Sequence, residues 1–478
     1  MMPTTKLGKY VEDPISGNCW DRISSLPDEL LGHILSFLPT RGAVSTSILS
    51  TRWRYLFTFT TCLSFDDAPC FSYMEQNERI EATRRFRDFV DKTLELHKIL
   101  PIKKFSLLCR DSHDNSDLNR WLSIALQKGV QELHYELPDI IHCVPDGFFS
   151  CETLLKLKMA GYGYNMFKIP LSVWLPKLKI LHLDRIMFND FDSMERLFSS
   201  SELLEELTLK ACDCDNDGHA IYRSEILRVL TIEHCSYSLG TFEIDAPNLS
   251  YLSYSSNIGV KIVPSWKSSG SFIKARLIFK CSAYDDESDG DEDSIEYERE
   301  LLKAAANKAT ELRLEKDSVQ VLLTLEDDEQ MPDFNNLTRL ELDNFPYTSW
   351  EYVTSLLDKS PQLETIIFET GFRCCSCSNH YCEDDNDCYC DSLSPSDIPL
   401  DPFSCQAQLI EVHEFCTHKG SLSLTGHLLR NASVLKNLIL YGHDDADFDL
   451  NISEELLIML PRASKDCCLE IKPAPSLY

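Results

Sequence analysis

Positive charge is scarce in this chain. Lysine and arginine together number 46 against 76 aspartates and glutamates, a net charge of −30 over 478 residues. A surface of that sign repels phosphate backbones and anionic lipid, so the expected partner is neither nucleic acid nor a membrane. Long apolar runs are missing too. No stretch approaches the roughly 18 apolar residues that read as a membrane span. The polar leader after Met1 lacks the apolar core of roughly 7–15 residues that a secretory signal carries. Without such a signal, the 20 cysteines point to reduced thiols in the nucleus and/or cytoplasm rather than to a disulfide framework. Catalytic motifs are absent as well. There is no Walker lysine loop, no G-x-S-x-G and no H-E-x-x-H, and Gly161-Tyr162-Gly163 lacks the third glycine of a dinucleotide loop. These gaps predict a non-catalytic chain that needs no cofactor and works by protein contact.

What is present begins at residues 21–57. Leu30, Leu31, Ile34, Leu35 and Leu38 fall on one helical stripe. Pro27 suits the first turn, Asp28 and Glu29 sit at the positive end of the dipole, and Pro39 stops the helix. A second apolar set follows at Ala43, Val44, Ile48 and Leu49, then an aromatic group at Trp53, Tyr55, Leu56 and Phe57. Three short helices make a marginal core alone and should leave apolar surface for a partner. Three blocks resemble the plant F-box: Leu26-Pro27-Asp28-Glu29-Leu30-Leu31, Ile34-Leu35-Ser36-Phe37-Leu38-Pro39, and Val44-Ser45…Leu49-Ser50-x-Arg52-Trp53. The resemblance implies an F-box over 21–60 that docks onto a Skp-type adaptor and, through it, cullin and RING subunits. It also implies contact residues: Leu26, Pro27, Ile34, Leu35, Leu38, Pro39, Leu49 and Trp53.

Residues 1–20 read as a disordered tail, and 78–97 as a linker helix with Ile80, Phe86, Phe89, Val90 and Leu94 at helical spacing. From residue 102 the chain repeats an apolar-x-x-apolar-x-apolar unit. It occurs as Val130-Leu133-Tyr135, Leu154-Leu157-Met159, Leu178-Leu181-Leu183, Leu204-Leu207-Leu209, Leu227-Leu230-Ile232 and Leu249-Leu252-Tyr254, in steps of 24, 24, 26, 23 and 22 residues. That is the period of leucine-rich repeats. Ile102-Phe105-Leu107 opens the series, and looser units carry it to 372. The last two apolar positions of each unit share one face of a short strand, and stacking joins those faces into one core. Cys212 and Cys235 follow their strands at the position that turns inward in such repeats, and read as buried structural thiols. The longer segments between strands read as helices, as in Phe191, Met194, Leu197 and Phe198, or Trp350, Val353, Leu356 and Leu357. The other strand face should be concave and bind a target. Its candidates are His182, Asp184, Glu206, Lys210, Thr231, Glu233, Tyr251 and Ser253.

Two stretches break the rhythm. Residues 284–294 read as an acidic solvated loop, with seven acids among the nine residues 285–293. Residues 373–403 form a cysteine-rich acidic insertion. Cys374, Cys377, His380 and Cys382 are weak zinc candidates there: one C-x-x-C is present without a second, so no metal site is assigned. From 405 to 471, Gln408-Leu409-Ile410-Glu411-Val412, Leu428-Leu429-Arg430-Asn431 and Pro461-Arg462-Ala463-Ser464-x-x-Cys467-x-Leu469 resemble the plant FBD domain. Leu435-Leu438-Leu440 fits the strand template, so this segment should extend the sheet and cap it. The expected fold class is α/β: a three-helix F-box, then a curved leucine-rich-repeat solenoid with a parallel sheet, extended by an FBD segment. The resemblance implies a substrate-recognition subunit of a Skp–cullin–F-box ubiquitin ligase. The alternatives are an F-box scaffold that feeds no ligase, and a metal-dependent binding module on the cysteine insertion.

Overall fold

The structure is a computed structural model. It describes residues 23, 25–68, 76–97, 101–110, 113–137, 144–145, 147–161, 166–167, 169–214, 218–236, 240–258, 260–263, 273–279, 292–315, 318, 321, 331–345, 349–372, 402–415, 419–442 and 460–473. The 1–20 tail, the acidic stretch up to residue 291 and nearly all of the cysteine-rich insertion lie outside the described residues, as do its candidates Cys374, Cys377, His380 and Cys382.

The N-terminal unit folds around its own core. Helix α1 is Asp28–Leu35 and α2 is Thr40–Ser45, followed by 3-10 turns at Thr46–Ile48 and Trp53–Phe59. Leu31, Leu35, Ala43, Trp53, Leu56 and Phe57 form a cluster separate from that of the repeats. Gly32 makes the closure possible: a Cβ there would lie 2.5 Å from the Phe59 Cβ and 2.9 Å from its carbonyl oxygen. Any other residue would push α1 off the aromatic turn. Arg52 ties the turn to the start of α1. Its guanidinium donates to Asp28 at 2.9 Å and to the Leu26 carbonyl. The Asp28 pair is half exposed, worth at most about 1 kcal/mol.

The sheet starts earlier than the repeat spacing suggested. Strand β1, Cys62–Asp66, follows the last F-box turn directly and pairs in parallel with β2, Lys104–Leu108. Leu63 lies opposite Phe105, and Phe65 opposite Leu107. Helix α3, Gln76–Leu96, therefore crosses over within the first repeat rather than linking two domains. Phe86, Val90 and Leu94 are buried in the repeat core.

The ladder then runs through β3 (Glu132–Leu137), β4 (Lys156–Gly161), β6 (Ile180–Asp184), β8 (Glu206–Lys210), β11 (Val229–Ser236) and β13 (Tyr251–Ile258), all parallel. Short strands β5 (Met166–Phe167), β7 (Met187–Phe188) and β9 (Asp213–Cys214) form a minor ladder just beyond the strand ends. The register aligns Leu157, Leu181, Leu207, Leu230 and Leu252 in one row. Met159, Leu183, Leu209, Ile232 and Tyr254 form a second. Each buried Leu stabilises the stack by about 1.5–3 kcal/mol. Strands β15 (Ile273–Phe279), β16 (Ala309–Glu315), β17 (Arg339–Asp343) and β18 (Thr365–Phe368) continue the order. The segment that resembles the FBD adds β19 (Leu409–Phe415), β20 (Asn437–Gly442) and β21 (Cys468–Lys472) to the same sheet.

Helices cover one face. They are α4 (Asn115–Gln127), α5 (Phe191–Ser199), α6 (Glu292–Lys308), α7 (Trp350–Asp358) and α8 (Lys419–Asn431). The stripes read for α5 and α7 are buried, and α6 takes up the last residues of the expected acidic loop, 292–294. Among the described residues between 218 and 263 the covering layer is not helical. Strands β10 (Gly218–Arg223), β12 (Gly240–Asp245) and β14 (Val260–Val263) form a second parallel sheet there. Ala220, Tyr222, Phe242 and Ile244 alternate inward, a period that suits strands, and steps of 22–23 residues leave little chain for a helix.

Five of the open-face strands, β6, β8, β11, β17 and β19, carry a repeated turn at or near their ends. Arg185, Ala211, His234, Asn344 and Glu414 all take left-handed backbone, φ 48–57°. The next residue then turns inward: Ile186, Cys212, Cys235, Phe345 and Phe415 are all buried. The two cysteines behave as expected. Cys212 Sγ lies 3.5 Å from the Leu183 carbonyl, and Cys235 Sγ 3.6 Å from that of Leu209. Burial, reinforced by Cys235, pushes the Cys212 thiol well above its usual range, so it is inert.

Candidate docking surfaces

The stripe of leucines on α1 divides between two environments. Leu31 and Leu35 enter the small core, while Leu30, Ile34 and Leu38 stay 44–51% exposed. Phe37, one turn beyond Ile34, is 77% exposed, and Ile48 and Leu49 are exposed on the following turn. Pro27 and Pro39 are exposed, and Leu26 is half-buried. Two of the eight expected contact residues lie inside the small core. Leu35 and Trp53 are buried and shape the face from beneath, because a core this small needs its largest side chains inside. Leu30, Phe37 and Ile48, outside the expected set, are exposed. Leu30 and Phe37 could have been read at i and i+7 with Ile34 between them.

The open face of the sheet is polar. His182 Nε2 meets Glu206 Oε1 at 2.5 Å, and Lys210 Nζ meets Glu233 Oε2 at 2.7 Å across neighbouring strands. Asp184 pairs with Arg185 at 3.3 Å. Thr231 and Tyr251 are half-buried beside them. Ser253 is the exception: it is buried and its hydroxyl donates to Glu233 at 3.1 Å, so it supports the face without presenting a contact. Burial and the ammonium groups of Lys158 and Lys104 push His134 down to about 4, which leaves it neutral at pH 7. Lys156 and Lys158, on β4, have no carboxylate within ion-pair distance among the described residues.

Further along, the strands carry a self-paired charge network that sequence reading left out. Arg313 reaches Asp343 at 2.9 Å, Glu369 at 3.6 Å and Glu341 at 3.7 Å. Arg276 pairs with Glu315 at 3.1 Å, Lys274 with Glu311 at 2.6 Å. The signal was the alternation in Glu311-Leu312-Arg313-Leu314-Glu315 and Arg339-Leu340-Glu341-Leu342-Asp343, which register sets side by side. An open hollow of about 250 Å³ beside it is lined by Tyr251, Lys274, Arg276, Glu311, Arg313 and Glu341. Nothing in this arrangement resembles a nucleophile–base pair.

Comparison with known proteins gives the family of both parts of the chain. The F-box domain model matches residues 23–59. The model described as At1g61320/AtMIF1, LRR domain matches residues 93–454, through most of the segment that resembles the FBD. The chain is 34% identical over 451 residues to the F-box protein At3g59000 of Arabidopsis thaliana, covering 90% of this chain and 88% of that one. It is 33% identical over 438 residues to the putative F-box/LRR-repeat protein At3g58880 of the same plant, covering 89% and 92%. A third relative there, the putative F-box/FBD/LRR-repeat protein At3g59240, is 30% identical over 470 residues, 94% of this chain and 89% of its own. An apolar-faced helical unit joined to a long parallel ladder, with matches to both parts, leads to one conclusion: the chain belongs to the plant F-box/LRR-repeat proteins, which are protein-interaction adaptors.

Proposed function

We propose that the chain is the substrate-recognition subunit of a Skp–cullin–F-box ubiquitin ligase, working in the nucleus and/or cytoplasm. The observation that carries this is the exposed row Leu30, Ile34, Phe37 and Leu38 on a unit whose own core is already closed. A contiguous apolar row beside a complete core is what a partner helix or groove covers. The Skp-type adaptor is that partner, and cullin and RING subunits follow through it. Pro27, Pro39, Leu26 and Leu49 border the row.

The open face of the repeats holds the target protein. Lys156 and Lys158 offer cations to acidic groups of the target, while His182, Asp184, Glu206, Lys210, Thr231, Glu233 and Tyr251 set its register. No residue of this chain reacts. It raises the effective concentration of target lysines at a ubiquitin donor held elsewhere. The test is co-purification of the full chain from plant cells. Cullin in the complex at near-equal amounts supports the ligase reading; adaptor without cullin supports a scaffold instead.

A further inference from the structure

The junction between the F-box and the first repeats holds a cluster unrelated to either docking surface. Asp67 follows β1, Cys109 follows β2, and His113 begins the turn into α4. Because β1 and β2 are parallel neighbours, their ends bring these three side chains together. The donor atoms of Asp67, Cys109 and His113 all lie within 4.8 Å of one another. His113 Nε2 is 2.9 Å from Asp67 Oδ2, and the Arg110 amide donates to Asp67 Oδ1 at 2.9 Å. Asp67 and Cys109 are fully buried, and the His113 side chain is 2% exposed. The rings of Phe86 and Trp121 flank the imidazole at 5.2 and 6.2 Å, an apolar shell around a polar knot.

We propose that Asp67, Cys109 and His113 form a three-ligand site for a divalent ion of the zinc class, which pins the end of β1 to the end of β2 and to the turn into α4. One sulfur, one nitrogen and one oxygen donor is the set a borderline-soft ion prefers over magnesium or calcium. Bond lengths of about 2.0–2.3 Å in a tetrahedral site put donors roughly 3.4 Å apart. The Asp67–His113 pair, at 2.9 Å, opens by a few tenths of an ångström to reach that spacing, and the Cys109 thiol stands within 4.8 Å of both. Binding expels the thiol proton of Cys109, and His113 binds as the neutral imidazole with its proton on Nδ1, so that Nε2 and the Asp67 carboxylate both face the ion. The Arg110 amide already orients the carboxylate, as outer partners do in metal sites.

Cobalt(II) titration of the full chain tests this, because a cobalt–thiolate bond gives a charge-transfer absorption. The background chain carries serine at Cys374, Cys375, Cys377, Cys382, Cys388 and Cys390, so the insertion contributes no thiolate. One equivalent of cobalt should produce the band, and added zinc should bleach it and raise the Tm by several degrees. Cys109→Ser should remove the band, and His113→Asn should weaken cobalt binding at least tenfold without unfolding the chain. No band in the background chain, or a band that survives Cys109→Ser, overturns the proposal. If Cys109→Ser does not fold, undiminished binding in His113→Asn overturns it.

Discussion

Replacing Leu30 and Phe37 with aspartate should abolish capture of the Skp-type adaptor and leave the fold standing. The two side chains are 51% and 77% exposed, so the free chain loses little by changing them. In a complex each would be buried, worth about 1.5–3 kcal/mol. Two buried anions in their place add a desolvation cost. The sum weakens binding at least a hundredfold. Calorimetry against the purified adaptor measures it, with the thermal melt as control. Wild-type affinity in the double variant would move the docking face elsewhere on the unit. Leu35→Asp is the informative contrast: it should lose adaptor binding and the cooperative melt of the small core together, since Leu35 packs inside it.

The second large effect concerns Glu298 on α6. It is 4% exposed, and Leu301, Leu302 and Ala305 are buried on the same helix. Burial pushes its carboxyl up to about 8, from an ordinary value of 4.5. The sign of the stability effect follows from proton binding. Between the two values the native chain holds a proton that the unfolded chain has lost, so stability falls as pH rises. The contribution is complete below about 4.5 and gone above about 8. At about 1.4 kcal/mol for each pH unit between those limits, the loss is at most about 5 kcal/mol. Glu298→Gln carries no such titration. Urea unfolding at pH 5.5 and 8.5 should therefore show a much smaller drop in the variant. Equal drops in both chains would mean that Glu298 is ionised in the folded state.

Much of this architecture can be read directly from residue order, for reasons that are local. The F-box is a long ordered block in which prolines, first-turn acids and leucines agree with one another. The leucine rows are legible because stacking demands an apolar side chain at fixed register in every repeat. What escapes reading is where other chemistry substitutes. Thr60, Leu63 and Phe65 occupy the repeat template with threonine in its first place, and Thr60 is buried like Ile102. The first strand was overlooked for that reason, and because the 21 residues of α3 stretch the step. The inward turn was visible at Cys212 and Cys235 but disguised at Ile186, Phe345 and Phe415, where apolar residues do the same work. Within the docking stripe, helical spacing marks five leucine-like positions without telling which edge meets the unit's own core. The Asp67 cluster is split between two strands; only Cys109-x-x-x-His113 is contiguous, and its carboxylate comes from 42 residues earlier.

The proposed function requires one chain to grip two things at once, machinery at the helical unit and a target on the open strand face. Proximity labelling in plant cells, with the proteasome inhibited, is the decisive experiment. Three chains are compared: wild type, the Leu30→Asp/Phe37→Asp variant, and a Lys156→Glu/Lys158→Glu/Tyr251→Ala variant. A set of proteins should be labelled by the first two and lost with the third, and their ubiquitination should rise with wild type alone. A labelled set indifferent to the open-face substitutions would refute that division of roles.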